Sequence, residues 1–169
     1  QMVDKSLSIL RQGERFAGVS PNVSNRLLSS FVEAFTTSGN IDSALYYNNQ
    51  LEEQTKNNPI FPSEIVSSSL NIAIYYMDHH QYNKALPYIS RGNDISARIK
   101  SPLLLFQAQL ITGRYDEETG KFDQAITALN NALPVARQYC LGLYSHALKT
   151  MAFAQKGKGN LLEALADYE

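Results

Sequence analysis

One short pattern recurs four times along the chain, and it limits the fold more than any other feature. "GNIDSAL" begins at Gly39, "HQYNKAL" at His80, "GKFDQAI" at Gly120 and "GNLLEAL" at Gly159. Each copy has a turn residue, then an apolar residue two positions later: Ile41, Tyr82, Phe122 or Leu161. Each then places an alanine at a fixed distance, Ala44, Ala85, Ala125 or Ala164, followed by Leu45, Leu86, Ile126 or Leu165. The starts follow one another at a near-constant period, and such a period signals stacked supersecondary units, none of which can bury its apolar face alone.

The residues before each turn agree. Eight back stand Phe31, Ile72, Thr112 and Met151; seven back, Val32, Ala73, Gly113 and Ala152; five back, Ala34, Tyr75, Tyr115 and Ala154. Apolar and small residues at offsets of three and four mark one buried stripe of an amphipathic helix. Thr112 is the odd member. Each repeat therefore reads as a helix A, a turn and a helix B. Gly39, Gly120 and Gly159 suit the left-handed conformation that closes a helix, and His80 breaks that rule. Asn40 and Asn160 are good N-caps for helix B, and Glu163 could complete a capping box with Asn160. Helices that cross closely want small side chains at the contact, so the spacing pairs Ala125 with Gly113.

The hairpins read as roughly 24–56, 63–98, 102–139 and 142–169, preceded by the B helix of a broken repeat at 3–17. There Ser6-Leu7 stands for the alanine–leucine pair, one period before Ala44-Leu45. As repeats, the boundaries are about 1–19 (partial), 20–58, 59–100, 101–140 and 141–169. Connectors carry the expected punctuation: "SPN" at 20–22, "NNPIFPS" at 57–63, and Ser101-Pro102 as N-cap and first helical position. Pro87 and Pro134 fall inside B helices, where a missing donor is expected to bend the helix. The fold class expected is all-α, an α-α superhelix of stacked antiparallel hairpins forming a single solenoid domain.

The order small–aromatic–turn–aromatic–small–apolar resembles the tetratricopeptide repeat (TPR), in a form lengthened to about 40 residues per repeat. "LNIAIYYMDHHQYNKALPYI" and "GRYDEETGKFDQAITALNNAL" carry the likeness best. No tryptophan opens any A helix, and the usual closing proline is replaced by longer B helices. The stretched form is similar to that of bacterial signalling proteins. The resemblance implies that A helices line a concave side where a protein or peptide segment binds. The positions expected to face it are Arg26, Ser30 and Glu33 in the first full repeat, and Asn71, Ile74 and Asp78 in the second. In the third they are Gln107, Arg114 and Glu118, and in the fourth Lys149, Phe153 and Lys156. Of these, Arg26, Asn71, Ile74, Arg114, Lys149 and Phe153 are the candidate partner-binding residues. Arg114 could hold a carboxylate through its planar fork, or be neutralised by Glu117 or Glu118 of its own helix. Some relatives clamp a C-terminal carboxylate with Lys and Asn at fixed A positions. Here the equivalents include Ser29, Ser30, Leu70 and Asn71, only Asn71 matches, and no clamp is expected.

Little in the chain points to catalysis. His79 and His80 diverge by about 100° on a helix and cannot chelate one ion well. His146 stands alone, and all three histidines read as solvated. Cys140, the only cysteine, excludes an internal disulfide and a multi-thiolate metal site, and reads as a small buried hydrophobe. "KGKGN" at 156–160 lacks the strand and spacing of a phosphate loop. "RYDEE" at 114–118 reads as a solvated helical face, and Tyr75, Tyr76, Tyr82 and Tyr115 as core. No catalytic, metal or cofactor site is expected, and the chain is not expected to be an enzyme. A net charge of −1 gives no basic surface for nucleic acid, and no apolar run is long enough for a membrane contact.

The Gln1-Met2 start and the "ALADYE" end inside a helix make a piece of a longer chain the expected reading. Two functions stay open: a sensory or scaffold segment of a bacterial signalling protein, such as a two-component sensor histidine kinase, or a cytoplasmic module of a DNA-binding regulator or an assembly adaptor. The compartment stays open too, with a periplasmic sensor region favoured. Half-repeats leave Val3, Leu7 and Leu10 at one end and Leu161, Leu165 and Tyr168 at the other as apolar faces, so self-association through the terminal helices is expected.

Overall fold

The structure is a computed structural model that describes all residues except 1, 17, 19, 57–61, 161, 163 and 165–169, with the side chains of 2, 3, 16 and 62 also outside the description. Among the described residues there is no strand. The helices are α1 (Met2–Gly13), α2 (Pro21–Thr37), α3 (Ile41–Lys56), α4 (Pro62–Asp78), α5 (Tyr82–Ile99), α6 (Pro102–Glu118), α7 (Phe122–Tyr139) and α8 (Leu141–Lys158), with a 3-10 turn at Glu14–Phe16 after α1. Each coincides with a helix read from the repeat pattern. The all-α architecture of antiparallel hairpins follows from that pattern.

The turns repeat in atomic detail. The N–H of Gly39 reaches Thr36 O and that of Asn40 reaches Phe35 O; His80 and Gln81 do the same with Met77 and Tyr76. Gly120 and Lys121 pair with Glu117 and Asp116, and Gly159 and Asn160 with Lys156 and Gln155. Each pair reaches back three and five positions and satisfies carbonyls the helix end would otherwise leave open. The conformation needs positive φ. Gly39, Gly120 and Gly159 lie at +80°, +77° and +91°, and His80 adopts it at +55° despite its Cβ. Lys100, at +56°, is a second non-glycine in this region. Each B helix then begins four positions before its alanine: Ala44, Ala85, Ala125 and Ala164 donate to Asn40, Gln81, Lys121 and Asn160. Asn40 also caps α3 through Ser43 N at 3.1 Å. Ser20 and Ser101 cap α2 and α6, each with proline next. Glu163 lies outside the described residues.

The packing forms two compact units, residues 1–95 and 96–169. In the first, α2 and α3 form a hairpin, α4 packs on both, and α1 lies against α2. Phe31, Val32, Ala44 and Leu51 are fully buried, and Tyr47 of α3 stacks on Phe31 and Phe35 of α2 with centroids 4.4 and 5.5 Å apart. In the second, α6 and α7 form a hairpin and α8 packs on both, around Phe106, Leu110, Leu129, Ala132, Ala136, Ala147 and Met151. Thr112 fits its stripe because its hydroxyl donates to Ala108 O, 2.8 Å away.

Some contacts differ from the pattern. Gly113 meets Leu129, one turn beyond Ala125: a Cβ on Gly113 would lie 2.7 Å from Leu129 Cγ. The longer leucine reaches the notch, and Ala125 is fully buried on the same helix. Gly92 meets Leu70 in the same manner, and Gly157 the ring of Phe122. Helices α5 and α7 continue through Pro87 and Pro134. Tyr76 and Tyr115 are buried, Tyr75 and Tyr82 half-buried. Leu7 and Leu10 are half-buried. The side chain of Val3, and Leu161, Leu165 and Tyr168, lie outside the described residues. Among the described residues no helix is long and apolar enough to cross a membrane.

Candidate partner-binding surface

In the first unit α2 and α4 lie side by side, and small side chains permit the approach. Ser68, fully buried on α4, donates to Ser29 Oγ at 3.2 Å, and Ser29 reaches Glu64 O at 3.4 Å. Two depressions border this seam. One of about 330 Å³ is lined by Arg26, Ser29, Ser30 and Glu33 of α2 and by Ser63, Glu64 and Ser67 of α4. The other, of about 410 Å³, is lined by Thr36, Thr37 and Gly39 and by Asn71, Ile74, Tyr75, Asp78 and His79. The A-helix positions expected from the repeat register in this unit therefore all border the seam. Arg26 and the first-turn Glu64 form a loose pair at 3.7 Å, with the arginine side chain 83% exposed, a geometry that contributes little to stability. Ser67 stands one period after Arg26, so its place was readable from the repeat; Thr36, Ser63 and Glu64 carry no such signal.

His79 is fixed rather than free. Its ring stacks on Tyr75 at 4.2 Å and Nδ1 lies 2.7 Å from Tyr75 O. His80 Nδ1 lies 3.1 Å from the hydroxyl of Tyr82. His79, His80 and His146 are exposed, and Cys140 is half-buried at the start of α8.

In the second unit the candidates stand on α6 and α8. Arg114 Nε pairs with Glu118 Oε1 at 2.6 Å, so the guanidinium has an acidic partner on its own helix. Lys149 Nζ lies 5.8 Å from the centre of the Phe153 ring. Gln107 is half-buried, and Lys156 and Phe153 are exposed. The "RYDEE" run is not the solvated face its composition suggests. Asp116 is buried, because the last turn of α6 folds under the α6–α7 turn, where Lys121 Nζ approaches Asp116 Oδ1 to 3.8 Å and lies over the Tyr115 ring at 5.0 Å. Burial pushes the Asp116 carboxyl above its ordinary value, with Lys121 opposing. Burial also raises Glu117, helped by neighbouring Glu118 and opposed by Arg114.

A third depression, of about 430 Å³, lies between α1 and α2 and is lined by Ser6, Ile9, Leu10, Ser30, Glu33, Ala34 and Thr37. Among the described residues no group of three or more His, Cys, Asp or Glu side chains could hold a metal ion. What the seam offers is hydroxyls, an amide and separated charges along neighbouring helices, suited to holding a chain by hydrogen bonds.

No known family's sequence pattern matches the chain, and no curated protein matches it in sequence. The likeness that exists is one of fold. Over 98% of its length the chain superposes on the crystal structure of BtubC (BKLC) from P. vanneervenii, covering 70% of that protein, with a TM-score of 0.79 at 15% identity.

Proposed function

We propose that the chain is a protein- or peptide-binding scaffold built from TPR-type repeats, not an enzyme. The observation that carries this reading is the α2–α4 seam. Two adjoining depressions are lined by Arg26, Ser30, Glu33, Asn71, Ile74 and Asp78, the A-helix positions that the repeat register marks for a partner. An extended segment would run along the seam, its backbone held by the Asn71 amide and the serine hydroxyls and an apolar side chain set against Ile74. In the second unit, the corresponding A-helix positions are Arg114 on α6 and Lys149 and Phe153 on α8. Arg114 contributes less than its chemistry suggests, since Glu118 already neutralises it.

The larger role we infer is a sensory or scaffold segment of a bacterial signalling protein, such as a two-component sensor histidine kinase. Its support is the stretched repeat alone. The alternative is a module of a DNA-binding regulator or an assembly adaptor. The sequence of the parent chain separates them: a nearby apolar span of about 20 residues favours the first, a helix-turn-helix the second.

The binding reading is tested with peptides selected from a displayed library on the full chain. Asn71→Ala and Ile74→Asp should each weaken the selected peptide about tenfold, on the order of 1.4 kcal/mol, with the melting temperature unchanged. Normal binding by both variants, with loss on Tyr46→Ala of the exposed α3 face, would contradict it.

A further inference from the structure

Charge is spread unevenly over the A-helix positions. The α2–α4 seam carries three carboxylates, Glu33, Glu64 and Asp78, against one guanidinium, that of Arg26. It is more negative than the whole chain, whose net charge is −1. The guanidinium already pairs with Glu64, 3.7 Å away. Acidity is not a general property of these positions. In the second unit they are cationic, with Lys149 and Lys156 on α8, and Arg114 of α6 paired with Glu118. Of the two depressions along the seam, the larger, of about 410 Å³, has Asp78 and no lysine or arginine among its described lining residues. Helix α2 ends at Thr37 and α4 at Asp78, and both residues line this depression. Neither helix has a basic residue in its last turn, unlike α3, α5, α7 and α8. A helix C-terminus is the negative end of the peptide dipole and favours a cation. Two such ends and a carboxylate meet here beside the half-buried Ile74.

We propose that the segment bound along this seam is basic. It is an extended stretch of a partner protein with an apolar residue set on Ile74. A lysine or arginine beside that residue reaches Asp78 and the C-terminal ends of α2 and α4, and a second basic side chain meets the exposed Glu33. This rests on the seam being the partner-binding surface. At a rise of about 1.5 Å per residue, Glu64 and Asp78 stand about 21 Å apart along α4, a span of about six extended residues. Charge complementarity of this kind selects among partners and speeds encounter more than it adds affinity. It therefore sets which segments enter the seam, while the Asn71 amide and the serine hydroxyls hold the backbone.

The probe is a displayed library of random peptides long enough to cover that span, selected on the full chain at low salt. Selected peptides should be enriched in lysine and arginine around one apolar residue. The Kd of the strongest, made synthetically, should rise about tenfold or more between about 0.01 M and about 1 M salt, as the Debye length falls from about 30 Å to about 3 Å. Asp78→Lys and Glu33→Lys change exposed side chains, so each should abolish binding with a melt like that of the parent. The same peptide with glutamate in place of its basic residues should bind Asp78→Lys better than it binds the parent. Asp123→Asn removes a charge on α7, where Asp123 pairs with Lys158, and should leave the Kd unchanged. Selection of acidic or uncharged peptides overturns the proposal. So does a Kd that Asp78→Lys and Glu33→Lys leave unchanged while Asn71→Ala and Ile74→Asp raise it, an outcome that keeps the seam and removes its basic partner. Peptides that bind all four variants as they bind the parent overturn the seam as well, as does a selection yielding nothing with a Kd of about 1 mM or tighter.

Discussion

Gly113 is buried, and its missing side chain is a packing requirement. Any Cβ there would stand 2.7 Å from Leu129 Cγ, and Leu129 is itself wholly buried on α7. Alanine is worth up to about 1 kcal/mol over glycine in a helix, but overpacking costs about 1–3 kcal/mol. Gly113→Ala should therefore lower the urea midpoint; an unchanged or higher midpoint would show that Leu129 can retreat. Asp116 makes a pH-dependent contribution of definite sign. Burial raises its folded pKa, so the folded state holds the proton more tightly than the unfolded chain. Stability from this group is full below the unfolded value and falls as pH rises through the raised one. Glu117, raised by burial as well, acts in the same direction. Asp116→Asn combined with Glu117→Gln should flatten that slope in melts taken from pH 4 to 7, and an unchanged slope would locate it elsewhere. The need for a small residue at 113 was visible in the repeat column, whereas the burial of Asp116 was not. An acidic run on a helix reads as solvated until the chain folds its last turn under a neighbour.

At the scale of the element, helix ends were the most legible feature. Glycine, proline and capping serine act locally, so Gly39, Gly120, Ser101 and Pro102 announce their roles without tertiary information. His80 is the informative exception. Three glycines occupy this turn position and one histidine does, at φ +55°, where an L-residue is strained by roughly 1–2 kcal/mol. The hydrogen bond between His80 and Tyr82 offsets part of it. His80→Gly should raise stability by about 0.5–1 kcal/mol, the strain less that offset; a lower melting temperature would mean the Tyr82 contact outweighs the strain. The pairing of surfaces was less legible than the ends. Glu52 of α3 accepts from Asn48 on its own helix and pairs with Arg91 of α5, a link between helices that the repeat pattern does not indicate. Gly92 against Leu70 is likewise set by which helices meet, and no local signal marks it.

For the whole molecule, the candidate site depends on the repeat register, because the seam exists only if α2 and α4 present the same face one period apart. The register put Arg26, Ser30, Glu33, Asn71, Ile74 and Asp78 on one face of their helices, since periodicity fixes which side of a helix a residue occupies, and all six border the seam. It did not indicate the depressions themselves, which depend on the serine contacts between helices, nor the pairing of Arg114 with Glu118, a choice among nearby carboxylates. The central claim is that the recurring alanines are equivalent crossing points of one repeated hairpin. Ala44 and Ala125, one in each unit, are both fully buried, while Tyr46 on the same helix as Ala44 is 59% exposed. The most direct test is thermal and urea denaturation of Ala44→Glu and Ala125→Glu beside Tyr46→Glu. Burying an unpaired charge in an overpacked contact should cost each alanine variant several kcal/mol, on the order of 3 kcal/mol or more, with Tyr46→Glu nearly unchanged. Alanine variants that melt within a degree or two of the parent would contradict the repeat register and the surface derived from it.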